Sequence, residues 1–391
     1  MKPHSFFDLP IFALGFRIFF ALAGLSALIL IVLWNALIKG ALTAENYFSP
    51  SYWHAHEMLL GYTVAVISGF LLTAVKNWTG RPTLVGGQLA GLSLLWLYGR
   101  VTPFYEGLLP DFLIALIDFS FLPLLAYFVS KPILQARHYK SLIFPAILLV
   151  LAFANALIHS EELGLKTGTA WLGIQLAVAT LIILILVIAG RVFPFFTERG
   201  LIGTLVIRNP TLDKIAIASA VWLFILQLFA FRGTLLAMAA LLAALANGAR
   251  IAGWYVRKIW YVPLLWVLYV GYGWIILGFA LTTLSAYSVI QPSLPLHALT
   301  IGGIGVLTLG MMARVSLGHT GRALRASNTI AIAFVLLNLA AFFRVLVPMA
   351  IPAWYGISIY IAMLFWLLAF SLFIYFYAPI LTRARVDGQP G

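Results

Sequence analysis

The chain of 391 residues contains no cysteine at all. That excludes disulfides, iron–sulfur clusters and every haem held through a cysteine, whether by thiolate ligation or by C-x-x-C-H attachment. Charge is scarce too: 9% of residues are charged and 63% hydrophobic, with a mean hydropathy of +1.05. A soluble globular chain carries about a quarter charged residues, so this composition belongs to an integral membrane protein. The alternation of a β-barrel is absent. The longest gap between apolar runs, Arg191 to Lys214, reads as a loop and is too short for a soluble domain. Met1 to Pro10 leads into the first run without an A-x-A site, so an uncleaved start is expected. Acidic residues number only 11 against 24 basic ones, a formal charge of +13. In a soluble protein that excess would suggest nucleic acid. Here no nucleic acid is expected, because loop cations set topology under the positive-inside rule.

What is present is a series of apolar runs of about 20 residues, the length that spans a bilayer as a helix. Twelve spans are predicted, over roughly 13–36, 52–75, 87–103, 111–130, 141–159, 169–190, 214–231, 233–252, 261–284, 296–316, 327–348 and 355–380. The expected fold is an all-α polytopic membrane protein, one integral domain over 1–391 with a loose six-plus-six arrangement. With the N-terminus inside, the outer side holds only Lys39, Arg100, Lys166, Arg232 and Arg344 of the 24 cations. Both termini are therefore expected in the cytoplasm.

The seven histidines are distributed unevenly. Trp53-His54-Ala55-His56-Glu57-Met58 opens the second span, and an ionisable group at the edge of hydrocarbon is a functional-site hypothesis by default. The alternation of spans puts His54, His56, His159 and His297 at one depth on the outer face. These four are the candidate metal ligands, since histidine is the commonest protein ligand for transition metals. On a helix His54 and His56 lie about 200° apart and face different neighbours. His54 shares a face with Glu57, Met58 and Gly61. His297 follows a Ser293 cap and Pro295, and His54 and His56 follow Pro50 and Ser51. First-turn positions favour the neutral, metal-binding imidazole. His159, at a helix C-terminus with Glu161 and Glu162 following, is the weakest of the four. His319 lies roughly 33 Å along a continuous helix from His297 and cannot join them. It serves a separate inner site or anchors a loop, and Arg314, Arg322 and Arg325 beside it could hold carboxylates such as propionates. Arg344 at the outer end of the eleventh span calls for an anion or snorkels to headgroups. His4 and His138 are expected to be solvated. Gly302, Gly303, Gly305 and Gly310 in the tenth span permit close approach of a neighbouring helix or a flat ring.

Taken together these motifs resemble the NnrS family. The resemblance is carried by Leu14-Gly15-Phe16-Arg17, by Trp53 to Met58, and by Gly69-Phe70-Leu71-Leu72-Thr73-Ala74 with Asn77-Trp78-Thr79-Gly80. It continues through Arg191-Val192-Phe193-Pro194-Phe195-Phe196-Thr197, Leu296-His297-Ala298-Leu299-Thr300, and Met311-Met312-Ala313-Arg314 with Gly318-His319-Thr320-Gly321-Arg322. It implies a multi-pass protein of the bacterial inner (cytoplasmic) membrane that carries haem b and copper in the nitric oxide response. Cofactor-binding positions would then be His54, His56, His297, His319, Arg314, Arg322 and Arg344. Nitric oxide or a related small molecule, membrane lipid and an electron donor are the expected partners, and no reaction is assigned. The paired His-His and the His-Pro-Glu-Val-Tyr motif of haem–copper oxidases have no counterpart, so the chain does not read as an oxygen reductase or proton pump. The alternatives are a secondary transporter, which twelve spans also suit, and a haem or copper delivery protein. Asp118 is the one clear acid within a span, which argues against proton-coupled transport.

Overall fold

The computed structural model describes residues 5–41 and 47–389. His4 lies outside them. Among the described residues there is no strand, and twelve long helices follow the predicted order. They are α1 (Gly15–Ile38), α2 (Pro50–Thr79), α3 (Gly86–Val101), α4 (Asp111–Gln135), α5 (Ile143–Glu162) and α6 (Thr169–Gly200). They continue with α7 (Pro210–Leu228), α8 (Thr234–Trp254), α9 (Pro263–Ser285), α10 (Ser293–His319), α11 (Asn328–Ala350) and α12 (Tyr355–Thr382). Backbone groups in hydrocarbon have no water to bond, so a polytopic chain satisfies them within each helix. Eleven of these helices are long and apolar enough to cross a bilayer. The exception is α3, whose 16 residues rise only about 24 Å before the tight turn Thr102–Tyr105 takes over.

The segment Arg191 to Lys214 is not the loop expected. Helix α6 runs on to Gly200 and α7 starts at Pro210, capped by Asn209, whose side chain accepts from the amides of Thr211 and Leu212. Hydropathy marks where hydrocarbon ends, and a helix bearing Arg191, Glu198 and Arg199 can continue into the interface beyond it. The real connection is residues 201–209.

The chain divides into two compact units. One holds the described residues up to Thr180 with Val315–Ala323 and the segment from Ile374 on; the other holds Leu181–Arg314 and Leu324–Phe373. In the first, α1 packs on α2, α3 on α4 and α4 on α5. Arg17, fully buried at the start of α1, donates to the carbonyls of Ile380, Leu381 and Arg383 and so closes the end of α12. Beyond that end, Arg385 grips Asp387 through two nitrogens and holds its carboxyl down to about 2. In the second unit α7, α8, α9, α10 and α11 pack in sequence. There the α10 glycines serve close helix packing: a Cβ on Gly302 would lie 2.5 Å from the ring of Trp274, and one on Gly305 would lie 2.9 Å from Trp366.

Two helices depart from α geometry. In α2 the run Glu57–Thr63 is π-helical, and in α10 so is Ala298–Gly305. Each starts at the residue after a histidine, His56 in one case and His297 in the other. Such wide turns inside α-helices occur frequently at functional sites, because they re-aim side chains without breaking the helix.

A candidate metal centre in the first unit

The π turn of α2 begins at Glu57, whose carboxylate lies against the imidazole of the preceding residue, His56. Glu57 Oε1 lies 3.0 Å from His56 Nδ1. Spacing put Glu57 on the face of His54, but its carboxylate bonds His56. The ring of His54 turns away and stacks on Trp34 of α1 at 4.4 Å. The two histidines do face different neighbours.

His56 Nε2 points at Asp118 of α4, 3.1 Å from Oδ2, and at Asn155 of α5, 3.0 Å from Oδ1. One turn beyond Asn155 on the same face, His159 places Nε2 2.9 Å from the same Asp118 oxygen. Its Nδ1 meets the hydroxyl of Tyr47 at 3.2 Å. The amide of Asn155 donates to Asp118 Oδ2 at 2.7 Å. Arg100, at the end of α3, donates to Glu57 Oε1 at 2.7 Å and to Asp118 Oδ1. His56 and Glu57 are wholly buried and Asp118, Asn155 and His159 nearly so. Space for this assembly depends on glycine: a Cβ on Gly99 of α3 would lie 2.8 Å from Asp118 Oδ1.

The charge count is short by one. Two carboxylates face one guanidinium, and both ring nitrogens of His56 face acceptors, Glu57 on one side and Asp118 on the other. A neutral imidazole leaves a lone pair against an anionic oxygen, so a proton or a metal ion must supply positive charge there. His56, Asp118 and His159 each offer one ligand atom, all within 4.8 Å of one another. Each imidazole has its Nδ1 held by a further partner, which leaves Nε2 for the centre. That outer support is what orients metal-bound histidines. The residues fit a metal that accepts imidazole and carboxylate, copper among them. Burial and the nearby carboxylates of Glu162 and Asp111 push the Tyr47 phenol well above its usual range, so it keeps its proton.

The other sequence candidates are dispersed. His297, in the second unit, donates Nδ1–H to the carbonyl of Ser293 at 2.7 Å. Ser293 is thus the first residue of α10 and not its cap, and Pro292 precedes the helix. His54 and His297 are each the fifth residue of their helices, and His56 is the seventh, beyond the first turn where the dipole acts. The tautomers of His56 and His297 are set by these hydrogen bonds instead. Arg344 of α11 lies with its guanidinium over the ring of Tyr355, 5.4 Å from its centroid, and leaves a buried Nη1 without an acceptor. Arg314, nearly buried, sits 4.0 Å over the ring of Phe196. Arg322 also has a buried Nη1 without an acceptor. His319 lies 5.8 Å from Phe16 at the start of α1, and its carbonyl accepts from Arg385. Phe16 and Trp34 are roughly 27 Å apart along α1, so His319 and His54 stand at opposite ends of this unit. His138 bonds Ser141 locally.

Sequence reasoning put His56 and His159 at one depth, and they meet, with ring centroids 5.8 Å apart. It ranked His159 last of the four, yet His159 is one of the two that converge. It missed Arg100, Asn155 and Tyr47 and read Asp118 only as evidence against transport. The available signal was polar residues inside apolar helices, with Asn155 four before His159. Among curated proteins none matches the chain. Residues 10–385 match the family model described as NnrS protein, and the chain therefore belongs to the NnrS family.

Proposed function

We propose that this chain is a metal- and haem-bearing protein of the bacterial inner membrane that handles nitric oxide or metal–nitrosyl species in nitrosative stress. The observation that carries the reading is the buried convergence of His56, Asp118 and His159, with His56 Nδ1 and His159 Nδ1 each engaged elsewhere. Copper is the metal assigned to it. Haem b is assigned to the second unit, where His297 would hold its iron. The Nδ1–H of His297 donates to Ser293, which fixes the tautomer in which Nε2 carries the lone pair that a metal would take. The acceptor-less nitrogen of Arg344 would hold a propionate, and α11 packs on the turn that bears His297. When bound, reduced haem iron and cuprous copper supply the affinity for nitric oxide, an apolar gas that partitions into membranes. The chain's own residues fix the imidazole tautomers, balance charge and exclude water. An electron donor would be the remaining partner.

The buried acids favour one second reading. Glu57 and Asp118 with Arg100 and two histidines also form the kind of intramembrane array that marks proton relays in transporters. The absorption spectrum of the purified chain, with iron and copper counted, separates the two, since a transporter is colourless. His56→Ala and His159→Ala should each lower copper and spare the haem bands. His297→Ala should alter the bands and spare copper, and His138→Ala should change neither. Wild-type bands and wild-type copper in all three site variants would overturn the assignment.

A further inference from the structure

Of the eleven acidic residues in this strongly basic chain, Glu57, Glu106, Asp111, Asp118, Glu161 and Glu162 belong to one end of the first unit. Two of them form the floor of the buried cluster; the other four stand above it. Asp111 opens α4 and lies two turns above Asp118 on the same face, seven residues away. Glu162 closes α5 three residues beyond His159, again on the same face. Glu161 is the neighbour whose carboxylate accepts from the amide of Ala170, 2.7 Å away. Glu106 follows the turn Thr102–Tyr105, and that turn is pinned to Tyr47 by a 3.0 Å bond from the Tyr47 amide to the Pro103 carbonyl. Tyr47 in turn reaches down to His159. The carboxylates of Glu162 and Asp111 act directly on its phenol. Of the cations at this end, Lys39 and Lys166 are exposed and Arg100 is tied to Glu57 and Asp118. Below, the wholly buried Glu57 carboxylate bonds through Oε1 and leaves Oε2 without a hydrogen-bond partner.

We infer that Glu106, Asp111, Glu161 and Glu162 form the mouth through which a metal cation enters from the aqueous face and reaches His56, Asp118 and His159 past Tyr47. The inference rests on the metal-centre reading of that cluster and adds the direction and the means of loading. A low-dielectric cleft lined by one sign of charge concentrates the opposite ion and raises its on-rate by about 10- to 1,000-fold. The stacked placement is what a loading path needs: the carboxylates of Glu106 and Asp111 exposed, those of Glu161 and Glu162 half-buried, then Tyr47, then the imidazole of His159. These outer acids are not ligands of the final centre. Neutralising them changes how fast the metal arrives and leaves how much is finally held.

The test uses the full chain, purified metal-free in neutral detergent, with aqueous Cu(II) as probe and copper per chain counted after rapid desalting at successive times. The variant is Glu106→Gln, Asp111→Asn and Glu162→Gln together; Glu161 is left in place because it holds the start of α6. At low ionic strength the variant should load about tenfold more slowly than the wild type and reach the same final copper content. In roughly 0.5 M salt the two rates should converge, since screening then acts within a few ångströms. Glu198→Gln, whose carboxylate pairs with Arg208 in the other unit, should load like the wild type. Equal rates for the triple variant and the wild type at low salt would overturn the mouth while leaving the centre standing. A wild-type chain that takes up no copper at either salt would overturn the centre, and the mouth with it.

Discussion

Glu57 and Asp118 bring two negative charges into the interior of the first unit, and Arg100 offsets one of them with a nitrogen on each carboxylate. Breaking a buried ion pair by removing one partner costs about 3–5 kcal/mol, because the remaining charge has no solvent. The site is therefore held together by the same charges that prepare it for a cation. Tyr47 plays a different part. Its hydroxyl stays protonated and faces His159 Nδ1, so it fixes the ring's orientation without adding charge. Tyr47→Phe removes that hydroxyl and little volume. It should weaken metal binding by about 10- to 100-fold, the effect of losing an outer partner of a ligand. Competition titration against a chelator of known affinity measures this, and Tyr47→Phe with wild-type affinity would show that His159 needs no such support.

The π turns are where helix geometry and site geometry meet. In α2 the wide turn starts at Glu57, with Trp53 and His56 buried just before it and Leu59 to Thr63 buried within it. Deleting one residue from such a turn restores α spacing and rotates everything upstream by about 100°. Deletion of Met58, which is only partly buried, should therefore leave the helix content of the protein unchanged by circular dichroism. It should abolish copper retention, because His56 no longer faces Asp118. Retained copper in that variant would mean that His56 is not a ligand. The matching turn after His297 explains the glycine run of α10, since small residues let its wide turns lie against Trp274 and Trp366. The shortness of α3 has a similar logic. Its last turn must deliver Arg100 sideways to Glu57 and Asp118, and the tight turn Thr102–Tyr105 follows at once.

Over the whole molecule, we propose from the excess of cations on one side of the twelve helices that both termini face the cytoplasm and the candidate metal centre lies near the opposite face. A reporter fused after Gln389 should be active if it works in the cytoplasm and silent if it works in the periplasm. The same reporters inserted between Leu165 and Lys166 should behave in the opposite way, and a reversal at both positions would invert the direction of metal entry. The twelve helices themselves were legible from sequence because each needs only its own apolar residues to satisfy its backbone in hydrocarbon. Where helix and hydropathy parted, at the polar end of α6, the reading of boundaries suffered, whereas α3, predicted over 87–103, runs Gly86–Val101. Depth was legible too: alternating spans put His56 and His159 at the same level, and they meet. Partnership was not. Arg100, Asp118 and Asn155 reach their partners from 43, 62 and 99 residues away. Helices such as α4 are apolar nearly all round, so their own pattern does not say which face turns inward. The amino-acid sequence by itself determined the membrane class, the helices and the level of the candidate ligands, because those follow from local transfer free energy. Which side chains converge was decided only by tertiary structure, because the rotation of each helix about its axis is set by its neighbours.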